Sequence, residues 1–309
     1  MAGQLVRGGT GNANHGLGAY IPLAVELCDL KRVRDASSPD SLASRLFRRG
    51  WTTLLAGVPV LTVMQTITAD AIAAARLGGV DVTVLERCGL DGPDMLAVLG
   101  RSFDEVAGPI DIGLAQALRA KLGLVSSSGP APAFAEALIR QPRAGATCPG
   151  KPRIVLEPPE NHGDHCLVVA VLAAVLAPHY GANPETAFLS GMAHHLHNAT
   201  LPDSGFAGEI LLGDHLTAII AHLFAQELAT LPQPLAATTR AALDGIGDAA
   251  SPEGRAFHAA DVIDRVLQMR HYDRVAAFTV DQALDDMDLV HAGPVQSFHH
   301  AVLAEAGLP

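Results

Sequence analysis

Residues 162–177 read HGDHCLVVAVLAAVLA, and this stretch decides the fold. From Cys166 onward it is apolar on every side, so the helix it forms, expected from about Asp164 to Pro178, keeps no solvent-facing stripe and has to lie at the centre of a helical bundle. His165 then places an imidazole against an apolar core. A lone core histidine is most simply satisfied by a carbonyl, but here the chain offers other partners. His194, His195 and His197 stand near the end of the next helix, and Asp261 stands on a later one in the apolar context AADVIDRV. A carboxylate there is costly to bury unless it is paired or bound to a metal.

Working outward, the loop HYGANP leads to Asn183 and Pro184, which start a helix with Glu185 in its first turn and run it to about His197. Another helix begins near Asp214 and carries His215 and His222. A further one runs from the cap Ser251 through Asp261 to about His271. On the N-terminal side, residues 127–160 are dense in Pro, Gly and Ser (SSSGPAPAF, QPRAGATCPGKPR, EPPEN) and read as a connector. They separate an N-terminal helical region, 1–126, from a helical domain, 161–309. In the first region, Ser38-Pro39-Asp40 reads as the cap of a helix that ends at Gly50. A long, mostly apolar helix over 52–77 is kinked or split at Pro59, and short helices follow at 92–99, 111–122 and 132–140. Residues 1–18 read as an irregular start. GGTGNANHGLG has scattered glycines without a preceding strand, which makes a poor phosphate loop. No stretch alternates with period two and none repeats, so the expected class is all-α.

Composition agrees. The 309 residues are 49% apolar and only 4% aromatic, with a formal net charge of −11. That charge repels phosphate backbones and argues against nucleic acid as a partner. The basic clusters Lys31-Arg32-Arg34 and Arg45-Arg48-Arg49 read as solvated helix faces or helix C-terminal charges. Cys28, Cys88, Cys148 and Cys166 form no CxxC, which fits reduced thiols in a cytoplasmic protein. MAGQLVRGGTGNANHG has no apolar core of a signal peptide. The longest uncharged run, Trp51 to Ala69, contains Pro59, Gln65 and five threonines, and reads as a buried helix rather than a membrane span.

Of the 14 histidines, only His15 precedes residue 162. The skew points to local chemistry in the second half. His194 and His197, spaced i, i+3, share a helix face. His195 points a quarter-turn away, yet adjacent side chains near a helix end can fork around one ion. His162 is an alternative to His165 as a ligand, although it precedes the helix proper.

The segment from about 160 to 275 resembles the HD superfamily, an all-α family in which a His on one helix, a His-Asp pair ending the next and a much later Asp bind metal. HCLVVAVLAAVLA resembles the helix of the first His, and FHAADVIDRVLQMRHYDR the segment of the last Asp. The resemblance implies an HD-like helical bundle preceded by a second helical region. The central pair fits in two registers. AHHLHN aligns with His194 as the family His and His195 in place of the Asp, with GFAGE following. Alternatively, LHNATLPD aligns with His197 as the family His and Asn198 in place of the Asp. In both, the defining Asp is missing. A carboxylate bridges two metals through its two oxygens, whereas an imidazole offers one nitrogen and an amide oxygen bridges poorly. The expectation is therefore one divalent transition metal (Fe, Mn, Co, Ni or Zn) rather than two, held by His165, His194, His195 or His197, and Asp261.

The resemblance implies a metal-dependent hydrolase acting on a small-molecule phosphate ester. In that reading Asp164, Asp203 and Glu209 manage protons, while His215, His222, Arg270 and Tyr272 face substrate. The alternatives are an HD-type iron oxygenase cleaving a C–C or C–P bond, and a non-catalytic HD-fold module that senses a ligand or dimerises. A homodimer is compatible with each. No feature of the chain points to a membrane partner.

Overall fold

The structure, a computed structural model, describes residues 16–124, 129–275 and 279–309. Among these residues there are fourteen α-helices and no β-strand, so the fold is all-α. The glycine-rich start lies almost wholly outside the described residues. Its end forms a short 3₁₀ turn at Leu17–Tyr20.

The first half contains α1 (Ile21–Asp29), α2 (Leu42–Leu55), α3 (Val60–Leu77), α4 (Val82–Arg87), α5 (Gly92–Val106), α6 (Ile112–Arg119) and α7 (Ala133–Arg140). The break at Pro59 is real: α2 ends at Leu55 and Pro59 caps α3, where a missing N–H costs nothing. Two local readings are corrected. The cap of α2 is Ser41, whose Oγ accepts from Ser44 N, and not Ser38. Gly50 does not end that helix. It is buried within it, where a Cβ would stand 2.9 Å from Met192 Cε, so its small size serves packing.

The second half contains α8 (His162–Tyr180), α9 (Pro184–Ala193), α10 (Gly205–Leu212), α11 (Leu216–Ala229), α12 (Gln233–Asp244), α13 (Pro252–Val275) and α14 (Gln296–Ala306). Asn161 caps α8 through Asp164 N, and Gly181 ends it in the left-handed region at φ +68°. Every residue of α8 from His162 to Ala177 is buried, as an all-apolar helix requires. It packs against α9, α13, α2 and α7. One continuous apolar core holds residues from Leu17 to Leu308, so the N-terminal helices share it with α8 and α13.

The approach of α9 to α8 is set by Gly191. A Cβ there would lie 2.4 Å from Ala170 Cα, so only glycine lets the two backbones come this close. The helix then stops. His194 is its C-cap, His195 leaves helical geometry at φ −107° and ψ 16°, and a 3₁₀ turn, Leu196–Ala199, follows. Among the described residues, three helical runs are long and apolar enough to cross a membrane: Val60–Leu77, His162–Tyr180 and Gly205–Ala229. The second is largely buried inside the protein, whereas little of the third is fully buried, and its Leu211 is 89% exposed.

Candidate metal centre

The first turn of α8, the end of α9 and the middle of α13 bring three side chains together. His165 Nε2 lies 3.2 Å from His194 Nε2 and 3.2 Å from Asp261 Oδ1. Donor atoms about 2.1 Å from a single ion stand roughly 3 Å apart, so His165 Nε2 has a ligand-like separation from each of the other two groups. His165, His194 and His195 also offer nitrogen atoms that all lie within 4.8 Å of one another.

The other ring nitrogens fix the chemistry. His165 Nδ1 is 2.7 Å from Asp264 Oδ2, and His194 Nδ1 is 2.8 Å from the Gly191 carbonyl. Both partners only accept, so each Nδ1 carries a proton and donates. His194 Nε2 is thereby left as a lone pair, facing His165 Nε2, which also faces the Asp261 carboxylate. A proton on His165 Nε2 can serve only one of these two acceptors well, so a cation beside this nitrogen would relieve the conflict. Ligating histidines usually have their second nitrogen held in this way by a carboxylate or carbonyl.

Asp264 is itself fully buried, and Lys31 explains how. The ammonium of Lys31, only 3% exposed, bonds Asp264 Oδ2 at 2.8 Å and also pairs with Glu160. Cys28 Sγ donates to Asp264 Oδ1 at 3.3 Å. Glu160, His165 and Asp264 form a second cluster with metal-like spacing, but Lys31 already supplies its cation. The reading of Lys31 as part of a solvated face is thus corrected. Burial alone would raise the Asp264 carboxyl, but Lys31 and His165 outweigh it and hold it well below the usual carboxylate range. Asp261 is also held low, with burial outweighed by the His165 hydrogen bond and by Arg265. Burial, then the neighbouring His165, pushes His194 down to about 3, so it is a neutral imidazole at ordinary pH, the form able to bind a metal.

His195 has a different assignment. Its Nδ1 donates to Asn198 Oδ1 at 2.7 Å, and its Nε2 lies 2.9 Å from Arg143 Nη1. The structure brings His194, not His197, to His165 Nε2, which Asp261 also approaches. The expected shared face of His194 and His197 fails because α9 ends at Ala193. His197 packs on Phe224 with its Nδ1 buried and without a hydrogen-bond partner among the described residues, and burial lowers its pKa to about 4.

A cavity of about 590 Å³ opens on the centre. His194, His195, Asp261, Asp203, Glu209 and Tyr272 line it, together with Arg143 and Arg265. Asp203 accepts from the backbone N–H of Ala144 and Gly205 and lies 3.6 Å from His162 Nε2, which places His162 behind the centre rather than in it. Burial and nearby Asp203 raise the Glu209 carboxyl. Tyr272 spends its hydroxyl on the Pro158 carbonyl. Four expected residues lie elsewhere. Asp164 points away into Ser41 and Ser44, and burial raises it to about 6 against those hydrogen bonds. His215 and His222 are exposed on the outer side of the α10–α11 region, and neither they nor Arg270 lines the cavity. Sequence reasoning missed Lys31, Arg143 and Asp264, although Asp264 had a signal in its i, i+3 spacing from Asp261 within an apolar helix. It also missed His258, His291 and His299, which line the cavity. No family model, curated protein or solved structure was found to match the chain.

Proposed function

We propose that the protein is an HD-like metal-dependent hydrolase that uses a single divalent transition metal on a small-molecule phosphate ester. The observation that carries the reading is the set His165 Nε2, His194 Nε2 and Asp261 Oδ1, whose two histidines are oriented by Asp264 and the Gly191 carbonyl. Two imidazoles and one carboxylate suit a borderline transition metal better than Mg or Ca. A bound ion would polarise a phosphoryl oxygen and lower the pKa of a coordinated water. Of the cavity carboxylates, Glu209 is the one suited to exchange a proton, because its pKa is raised whereas that of Asp203 is lowered.

Protein stripped with a chelator and reloaded with Mn²⁺, Co²⁺, Ni²⁺ or Zn²⁺ is expected to release phosphate from members of a small phosphomonoester panel. The stripped form should be inactive. Equal phosphate release by stripped and loaded protein would sink the reading. A second reading, an iron oxygenase, draws on the extra histidines His258, His291 and His299 around the cavity. It requires iron in the aerobically purified protein and substrate-dependent oxygen uptake, and the absence of both would remove it.

A further inference from the structure

We infer that Arg143, held in place by an Asn198–His195 relay, forms an oxyanion subsite beside the metal ligands, so that the substrate's anionic head is gripped by one ion and one guanidinium. The inference rests on the metal-centre reading above and adds the group that recognises substrate.

The relay is directional at every step. Asn198 Nδ2 donates to the Leu201 carbonyl at 3.0 Å, which turns the amide oxygen toward His195. His195 Nδ1 donates to that oxygen at 2.7 Å. Its Nε2 is then a lone pair, and Arg143 Nη1 donates to it at 2.9 Å. Both nitrogens of His195 are thus engaged within the protein, and it can ligate an ion only by letting go of Arg143. In this arrangement it is a positioning residue.

The guanidinium has donors to spare. Of its five N–H groups, the one aimed at His195 makes the only side-chain hydrogen bond of Arg143 among the described residues. Glu160 and Asp203 lie 3.9 and 4.0 Å from its Nε, near enough to favour the charge but too far to take up its hydrogen bonds. The backbone fixes its base, since Arg143 N donates to the Glu160 carbonyl at 2.8 Å. Arg143 lines the same cavity as His194, His195 and Asp261. A guanidinium with free, forked donors in a partly desolvated cavity suits the oxygens of a phosphoryl or carboxylate group.

The remaining wall defines the rest of the ligand. Leu212, Leu216, Ile220, Phe257 and Met269 face the cavity alongside His258, His291 and His299, so the body attached to the anionic head is small enough for about 590 Å³ and meets both apolar and hydrogen-bonding walls. Glu160, Asp203, Glu209 and Asp261 also line it. Their charge opposes an anion, so the guanidinium alone does not suffice and oxyanion binding requires the ion.

Inorganic phosphate is the probe, titrated calorimetrically into full-length protein freed of unbound metal. Wild type loaded with Mn²⁺ is expected to bind phosphate, and metal-stripped protein is not. Arg143→Gln should keep its ion while phosphate affinity falls roughly tenfold or more, the scale of one lost charge-assisted contact. Arg143→Lys should recover part of the loss, since the charge returns without the fork. His195→Gln should also keep the ion yet bind phosphate more weakly. Should Arg143→Gln fail to fold, the His195→Gln and Arg143→Lys pair carries the same comparison. Wild-type phosphate affinity in Arg143→Gln or in His195→Gln, loss of the ion from His195→Gln, or no phosphate binding by loaded wild type would each overturn the subsite. Failure of wild type to take up metal at all would instead remove the reading on which it rests.

Discussion

At the scale of single residues, the candidate centre depends on hydrogen bonds one step removed from the ion. Asp264 touches no ion in this arrangement, yet it sets which nitrogen of His165 is free. Asp264→Asn keeps the size and an oxygen acceptor but gives up the charge and the pairing with Lys31. It is expected to weaken metal affinity about 10–100-fold while leaving His165, His194 and Asp261 unchanged, as losses of such orienting groups do. Competition with a metallochromic chelator reads this directly, and an unchanged affinity would show that His165 needs no orienter. Part of this was legible in the sequence. His165 and Asp261 were marked by an imidazole and a carboxylate in apolar helices. Lys31 was not, because its partner Asp264 lies 233 positions away and a basic triplet near a helix end ordinarily faces solvent.

At the scale of elements, the centre depends on how closely α9 approaches α8. Gly191 permits that contact and also supplies the carbonyl that holds His194 Nδ1. Gly191→Ala puts a methyl 2.4 Å from Ala170 Cα and 2.5 Å from Ala170 N, backbone atoms that cannot swing aside. Forcing α9 outward is expected to cost about 1–3 kcal/mol or more and to separate His194 from His165. Chemical denaturation and metal titration of the variant should therefore worsen together. A variant as stable as wild type would contradict the close-contact reading. The all-round apolarity of α8 predicted its burial well. The choice between His194 and His197 was not legible, because it turns on whether α9 ends before or after the histidines. That ending follows from tertiary packing and not from a glycine or proline in AHHLHN. Arg143 was obscured differently, lying in a Pro/Gly-rich stretch that reads as a mere connector but forms one wall of the cavity.

At the scale of the whole molecule, the protein buries several neutral imidazoles. His162 and His194 are pushed down to about 3, and His197 and His299 to about 4, in each case foremost by burial. In the unfolded chain they take up protons near the ordinary value of about 6.5. Below that pH the unfolded state binds more protons than the folded one, so the stability is fully present above about 6.5 and is lost as the pH falls toward the folded values. The Tm of metal-free protein should be nearly flat from pH 7 to 8 and fall progressively from about 6.5 to 4; a flat profile through that window would mean the imidazoles are not buried neutral. The fold class was legible because periodicity and composition act along the whole chain, while the sharing of one core by α1, α2, α8 and α13 arises from contacts between distant segments. The central claim is that one ion sits between His165, His194 and Asp261, and elemental analysis of purified wild type, His194→Ala and His197→Ala tests it most directly. One transition-metal ion per chain in wild type and in His197→Ala, with none in His194→Ala, is the predicted result; stoichiometric metal in His194→Ala would contradict it.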